Sequence, residues 1–291
     1  MHLYLTPAAV GYLTQLLLAA LITGYVLWLV RSPKHPRHVH WLLGFFSCIT
    51  LFITTLFLEV SSLPTQRLSF VYVQNTMLGA ALVSLIQFAY RFPSLVSARR
   101  REAFIALLLS GLYTLWEAAY AIYRFVRLGQ GYVLYRPNWS DYLLLVILLW
   151  TPLAFLRQLY TLEHAQIERR TGFIQPFIHP TNRTTRTVRG FALIFFFVAG
   201  LNVFNILRAS YLVTVSLANM SISLGILVAL LAFAMTYLNG HPETTSFVVK
   251  LAGVVLTLML AVLGMVAWVV SPSFSANYAP PLPRQQTLRF T

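Results

Sequence analysis

The feature that most constrains this chain is a series of eight apolar blocks, each 19 residues or longer and none carrying more than one charged residue. The hydrocarbon core of a bilayer is about 30 Å thick, and about 20 residues of α-helix cross it. Backbone polar groups find no water there, so a spanning segment must satisfy them internally, as a helix or within a closed barrel. Barrel strands alternate inward and outward residues over about 10 positions, whereas these blocks are apolar without alternation. The expectation is an all-α polytopic transmembrane helix bundle with spans over 8–30, 41–60, 70–90, 104–123, 142–160, 190–208, 212–238 and 247–270. Residues 1–270 make up the bundle, and 271–291, with Pro272, Pro280, Pro281 and Pro283, are expected to form an irregular tail outside the membrane. A grouping of seven helices plus one fits the spacing, and no internal repeat stands out. The first block is too long for a signal-peptide core, with no basic residue before it and no small-residue cleavage pattern after it. It is expected to remain as the first span.

Of the 291 residues, 10% are charged and the formal net charge is +14, where a soluble domain carries about a quarter charged residues. In a soluble protein such a balance would suggest nucleic acid. Here the basic residues cluster between the apolar blocks, where they face anionic lipid and set orientation, and no nucleic-acid partner is expected. Two thirds of the 21 Lys and Arg fall on one side: Arg31, Lys34 and Arg37, Arg91 and Arg99 to Arg101, Arg157 to Arg189, and Lys250. Arg67, Arg124, Arg127, Arg136, Arg208, Arg284 and Arg289 fall on the other. The positive-inside rule places the first set in the cytoplasm, and eight spans then leave both termini outside. In a bacterium this is a multi-pass protein of the inner (plasma) membrane, with the lipid bilayer as its first partner.

Two loops stand out. Residues 161–170 contain helix formers, so the fifth helix is expected to run past the membrane surface until Gly172, Pro176 and Pro180 break it. The outer loop 124–141 and the helix after it hold Tyr132, Tyr135, Trp139 and Tyr142, an interfacial aromatic belt or an aromatic ligand pocket.

Ionisable residues inside a bilayer are costly and become site candidates by default. Three qualify: Glu59 at the outer end of the second span, Glu117 in the outer half of the fourth, and Arg208 at the outer end of the sixth. A Glu–Arg pair closing the outer half of the bundle is the simplest arrangement, and a ligand or proton site at Glu117 is the alternative. Asn202, Asn205 and Arg208 recur at three-residue steps on one helix face, and Ser216, Asn219 and Ser223 follow at steps of three and four on the next helix. Gln74, Asn75 and Gln87 add amides to the third. Such residues join helices through interhelical hydrogen bonds or line a polar cavity between the fourth, sixth and seventh helices.

Other chemistries lack their residues. A membrane haem needs His ligands within spans, and all seven His fall in loops or tails by hydropathy. Lys34 and Lys250 lie at the membrane edge, where neither could carry retinal. The single Cys48 excludes an internal disulfide and multi-Cys metal sites. The run His35-Pro-Arg-His38-Val-His40 reads as a solvated basic loop. No phosphate-binding loop, HExxH or GxSxG is present, and no cofactor or catalytic residue is expected.

The stretch Thr236-Tyr-Leu-Asn-Gly-His-Pro-Glu-Thr-Thr-Ser-Phe-Val-Val-Lys-Leu-Ala-Gly253 runs into an apolar helix. The chain opens on an apolar helix with almost no preceding tail, followed by a short basic loop and Trp41. In these respects residues 1–275 resemble the multi-helix membrane module at the N-terminus of some bacterial sensor histidine kinases and nucleotide cyclases. The resemblance implies a non-catalytic signal-input module, with phosphorylation or cyclic-nucleotide synthesis performed by a cytoplasmic domain. The given sequence contains no such domain, so it is expected to be a solitary relative, a fragment, or the partner of a separately encoded kinase or cyclase. The leading expectation is a membrane sensor that perceives an outer-side or membrane-embedded ligand near Glu59, Glu117, Asn202, Asn205, Arg208 and Asn219. A non-catalytic subunit of a larger membrane complex, associating with other membrane subunits, and a small-solute or lipid transporter are the alternatives.

Overall fold

The computed structural model describes residues 7–31, 36, 38–93, 99–134, 137, 139–164, 177, 180–209, 212–240, 262, 263 and 266. Seven long helices make up nearly all of them: α1 (Pro7–Arg31), α2 (His38–Ser61), α3 (Pro64–Arg91), α4 (Arg100–Gly129), α5 (Trp139–His164), α6 (Arg183–Ala209) and α7 (Val215–Gly240). Helices α1 to α6 are long and apolar enough to cross a membrane, and α7 carries the apolar run Ser221–Tyr237. The chain is a multi-pass helical membrane protein, in contact with lipid. All of the eighth span over 247–270 except residues 262, 263 and 266, the tail and the continuation of α5 over 165–176 lie outside the described residues, as do most of the positions that carry the family resemblance.

The helices outrun their hydropathy. Helix α3 starts six residues before its apolar block, with Pro64 at its first turn, where the missing N–H costs nothing. Helix α4 runs from Arg100 to Gly129, about 45 Å at 1.5 Å per residue, well beyond the hydrocarbon core. It stops at a turn in which Gly131 has φ +86°, a backbone geometry glycine adopts without strain. Pro152 lies within α5, which a membrane helix tolerates when neighbours re-satisfy the freed carbonyl.

Packing order gives the architecture. Helix α1 packs on α2, α2 on α3, α3 on α5, α5 on α6, α6 on α7, and α7 returns to α1, so six helices close a ring; α4 lies outside it against α3. Phenylalanines fill the ring toward the basic end. Phe88 of α3 meets Phe155 of α5 and Phe191 of α6 with ring centroids 6.1 and 5.7 Å apart. Phe191 stacks on Phe233 of α7 at 4.7 Å, and Phe46 of α2 meets Phe233 edge-on at 5.3 Å. Lipid tails are as apolar as Leu, so helix contact in a membrane depends on close fit and on hydrogen bonds. Both are present. A Cβ on Gly79 of α3 would come within 2.9 Å of Thr114 Oγ1 of α4, so the glycine sets that approach. Thr23 of α1 and Thr50 of α2 share a hydrogen bond of 2.8 Å, and the hydroxyl that accepts it donates to a carbonyl of its own helix, Ala19 or Phe46.

Helix α4 shows its two faces plainly. Ala103, Ala106, Ser110, Tyr113, Glu117, Ala121 and Arg124 are buried, a stripe at steps of three and four that follows the helical period. The opposite face exposes Phe104, Leu108, Leu112, Leu115 and Ile122, with Leu115 67% exposed. That face is open to lipid.

Candidate functional site

The polar side chains gather at two levels, and α4 contributes to both. At the level away from the basic end, Tyr113 Oη donates to Glu117 Oε1 at 2.8 Å and lies 3.4 Å from the Ser140 carbonyl at the start of α5. Glu117 is 3% exposed, so its carboxylate is held inside the protein by a phenol from its own helix. One face over, Trp116 stacks on Tyr120 at 5.4 Å and meets Trp139 at 4.5 Å. Two turns beyond Glu117, the Arg124 guanidinium sits 3.8 Å above the Tyr72 ring of α3, and its Nε donates to the Leu134 carbonyl at 3.0 Å. Between α2 and α3, Gln74 Nε2 donates to Glu59 Oε2 at 2.6 Å. Between α1 and α7, Gln15 Nε2 donates to the Ser223 carbonyl at 3.2 Å.

At the basic end, the hydrogen bonds converge on Arg99. This side chain is 6% exposed; Nη1 donates to Gln158 Oε1 at 2.6 Å, and Nη2 to the Arg157 carbonyl at 2.6 Å and to Thr161 Oγ1. Burial, reinforced by Arg157, pulls the Arg99 pKa below the ordinary arginine value, although an arginine stays charged in a protein. Arg157 Nη1 pairs with Glu102 Oε1 at 2.7 Å. Tyr90 Oη donates to the same Glu102 oxygen at 3.0 Å and accepts from Trp150 Nε1 at 2.9 Å. Gln87 Nε2 donates to the Ala103 carbonyl at 2.8 Å while its Oε1 accepts from Arg91, whose guanidinium covers Trp41 at 4.7 Å. Glu163 at the end of α5 accepts from the Thr181 N–H and hydroxyl at 2.9 and 2.8 Å, which fixes the entry to α6. Arg183 Nε donates to the Asn239 carbonyl at 2.8 Å, tying α6 to the end of α7.

Of the residues the sequence singles out, Glu117 is buried on α4, Glu59 is half-buried against Gln74 and Asn202 is half-buried on α6. The side chains of Asn205, Arg208 and Asn219 lie outside the described part of the structure. Helix α4 packs on α3, and α6 on α5 and α7, so Glu117 and Asn202 belong to different packing neighbourhoods. Glu59 takes an amide as its partner, because α2 and α3 are adjacent along most of their length. The amides of Gln74 and Gln87 do join neighbouring helices as expected. His38 differs from expectation: it opens α2 and is buried edge-on against Phe88 and Phe92, at 5.9 and 5.1 Å. His40 also lies within α2, and His164 ends α5. Hydropathy stops counting at the first charge and so assigns such helix ends to loops. Arg99 and Arg124 were hidden for the same reason. A helical count would have found Arg124, which lies seven residues after Glu117 on the same stripe.

Among the described residues, no three His, Cys, Asp or Glu side chains come together in a group that could hold a metal ion. The fold and its polar levels define a polytopic helical membrane bundle with one peripheral helix. The chain matches no protein-family pattern, no curated protein and no solved structure.

Proposed function

We propose that this chain is a sensor or receptor-like signal-input module of a bacterial inner membrane. It perceives an outer-side or membrane-embedded ligand and passes the event to a separate cytoplasmic protein, a kinase or a cyclase. The observation that carries this reading is the position of α4, a peripheral helix whose single buried stripe takes part in the polar contacts of both levels. Small residues, Ala103, Ala106 and Ser110, line much of that stripe, so the interface with α3 can slide without large repacking. A ligand that competes for Tyr113 or Glu117 changes the preferred position of α4. The same rigid helix then alters the Glu102–Arg157 pair and brings a strain on Arg99, which precedes its first residue, against α5. The ligand can bias such a two-state change only by binding one state more tightly.

The second reading, a non-catalytic subunit of a larger complex, is favoured by the exposed apolar face of α4, which another subunit's helix could cover. One experiment separates the two. The tagged protein is purified in nanodiscs, and its companions are read by mass spectrometry. A kinase or cyclase that co-purifies, and whose output changes in a Glu117→Gln variant, supports the sensor. A fixed stoichiometric set of membrane subunits with no such enzyme overturns it.

A further inference from the structure

Arg124 is a buried arginine on the stripe of α4 that packs against α3. It is 6% exposed, yet among the described residues no carboxylate pairs with it. Its only hydrogen bond there is the one from Nε to the Leu134 carbonyl, and its terminal nitrogens are not among the fully buried side-chain atoms that lack a partner. A guanidinium out of water needs acceptors as well as an aromatic face. The aromatic face is supplied by Tyr72, with Tyr120 further off at 5.8 Å. Tyr72 is itself buried, and its hydroxyl has no hydrogen-bond partner. A mostly buried guanidinium therefore lies against a ring whose own hydroxyl has no partner among the described residues.

The surroundings narrow the ligand. Arg124 lies five residues before the end of a helix longer than the bilayer core, at the depth where head groups begin. Arg127, one turn on, adds a second positive charge among Tyr123 and Tyr132. The same turns present Ile122, Phe125 and Val126 outward, 65%, 38% and 57% exposed. A site with a guanidinium fork beside an exposed apolar strip is chemically matched to an anionic head group whose chains lie along the helix.

We infer that Arg124, with Tyr72 beneath it, binds the phosphate-type anion of a membrane amphiphile. The inference does not rest on the signalling role and would hold equally for a subunit of a complex. The test uses the full chain in nanodiscs of phosphatidylcholine alone or with phosphatidylglycerol, with retained lipid counted by native mass spectrometry after release. The expected result is preferential retention of phosphatidylglycerol, reduced at least fivefold in Arg124→Gln and less than twofold in Arg67→Gln, an exposed arginine of the same end. Arg124→Lys keeps the charge but loses the fork, and is expected to fall between. It also serves as the folded variant if Arg124→Gln does not fold. A second arm adds inorganic phosphate to the phosphatidylcholine discs and follows thermal stability. A stabilisation that requires Arg124, without lipid retention, would identify a free anion as the ligand and overturn the amphiphile. Retention unchanged in both Arg124 variants would overturn the site itself.

Discussion

Arg99 and Arg124 are both buried, but their surroundings ask different things of them. Arg99 satisfies three acceptors of α5, so its loss takes a charged donor from the Gln158 amide oxygen and from Thr161 Oγ1 at a closed helix junction, while the Arg157 carbonyl keeps the Thr161 hydroxyl. Stranding buried acceptors costs about 1–3 kcal/mol. Arg99→Ala is accordingly expected to lower stability by about 2–3 kcal/mol, read as a lower unfolding midpoint in detergent by tryptophan fluorescence. Arg99→Lys should recover only part of this, since one ammonium cannot reach a forked set of acceptors. The neighbouring Arg157–Glu102 pair is the contrast, because its arginine is 62% exposed. Exposed pairs contribute about 0–1 kcal/mol, so Arg157→Gln should leave the midpoint nearly unchanged. Gly225 tests fit in place of charge. A Cβ there would collide with the Leu201 side chain of α6, and overpacking of this kind costs about 1–3 kcal/mol. Gly225→Ala should therefore destabilise measurably in the same assay, with α6 and α7 forced apart.

The helices themselves were legible because a membrane makes length and hydropathy nearly sufficient: α1 to α6 each contain an expected block, and α7 starts at Val215, three residues into its own. The peripheral place of α4 was not legible from hydropathy. Lipid and protein interior are equally apolar, so Leu115 facing tails and Phe88 facing the core look alike in a hydropathy window. What separates them is size and polarity, small or hydrogen-bonding residues inward and large aliphatic ones outward, as the stripe of Ala103, Ala106, Ser110 and Tyr113 illustrates. Glu117 was legible as a carboxylate buried in a span, but its separation from Asn202 was not, because sequence does not say that α4 packs on α3 while α6 packs on α5 and α7. The lipid-facing assignment can be measured directly. With Cys48 replaced by Ala, spin labels are placed singly at Leu108, Leu115 and Ile122, and at Ala106 and Ser110. The first three should be accessible to oxygen in a bilayer and the last two protected, alternating with the helical period. Protection at all five positions would mean that another protein covers α4, and the larger-complex reading would gain directly.

At the scale of the whole molecule, the remaining question is which end faces the cytoplasm, since an outer ligand site and a cytoplasmic partner both depend on it. The basic residues favour the end formed by the starts of α2, α4 and α6, but Arg124, Arg127 and Arg136 form a counterweight at the other. The structure reduces that counterweight: Arg124 is packed under the helix surface on Tyr72 and does not act as a loop charge. Arg99 is likewise buried, but it is one of a much larger set that includes the exposed Arg100, Arg101, Arg183 and Arg186. Because orientation is set by positive charge in short loops near span ends, the bias toward a cytoplasmic basic end survives the correction. The expected outcome can be checked with two single-cysteine variants in a Cys48→Ala background. Tyr132→Cys should react with a membrane-impermeant maleimide in spheroplasts, and Thr184→Cys only after the membrane is opened, both positions being exposed. The reverse pattern would put Glu117 and Arg124 in the cytoplasmic half. A ligand there would arrive from inside the cell, and a cytoplasmic output protein would lose its basic docking end. The helix bundle would stand, and the sensor reading would fall.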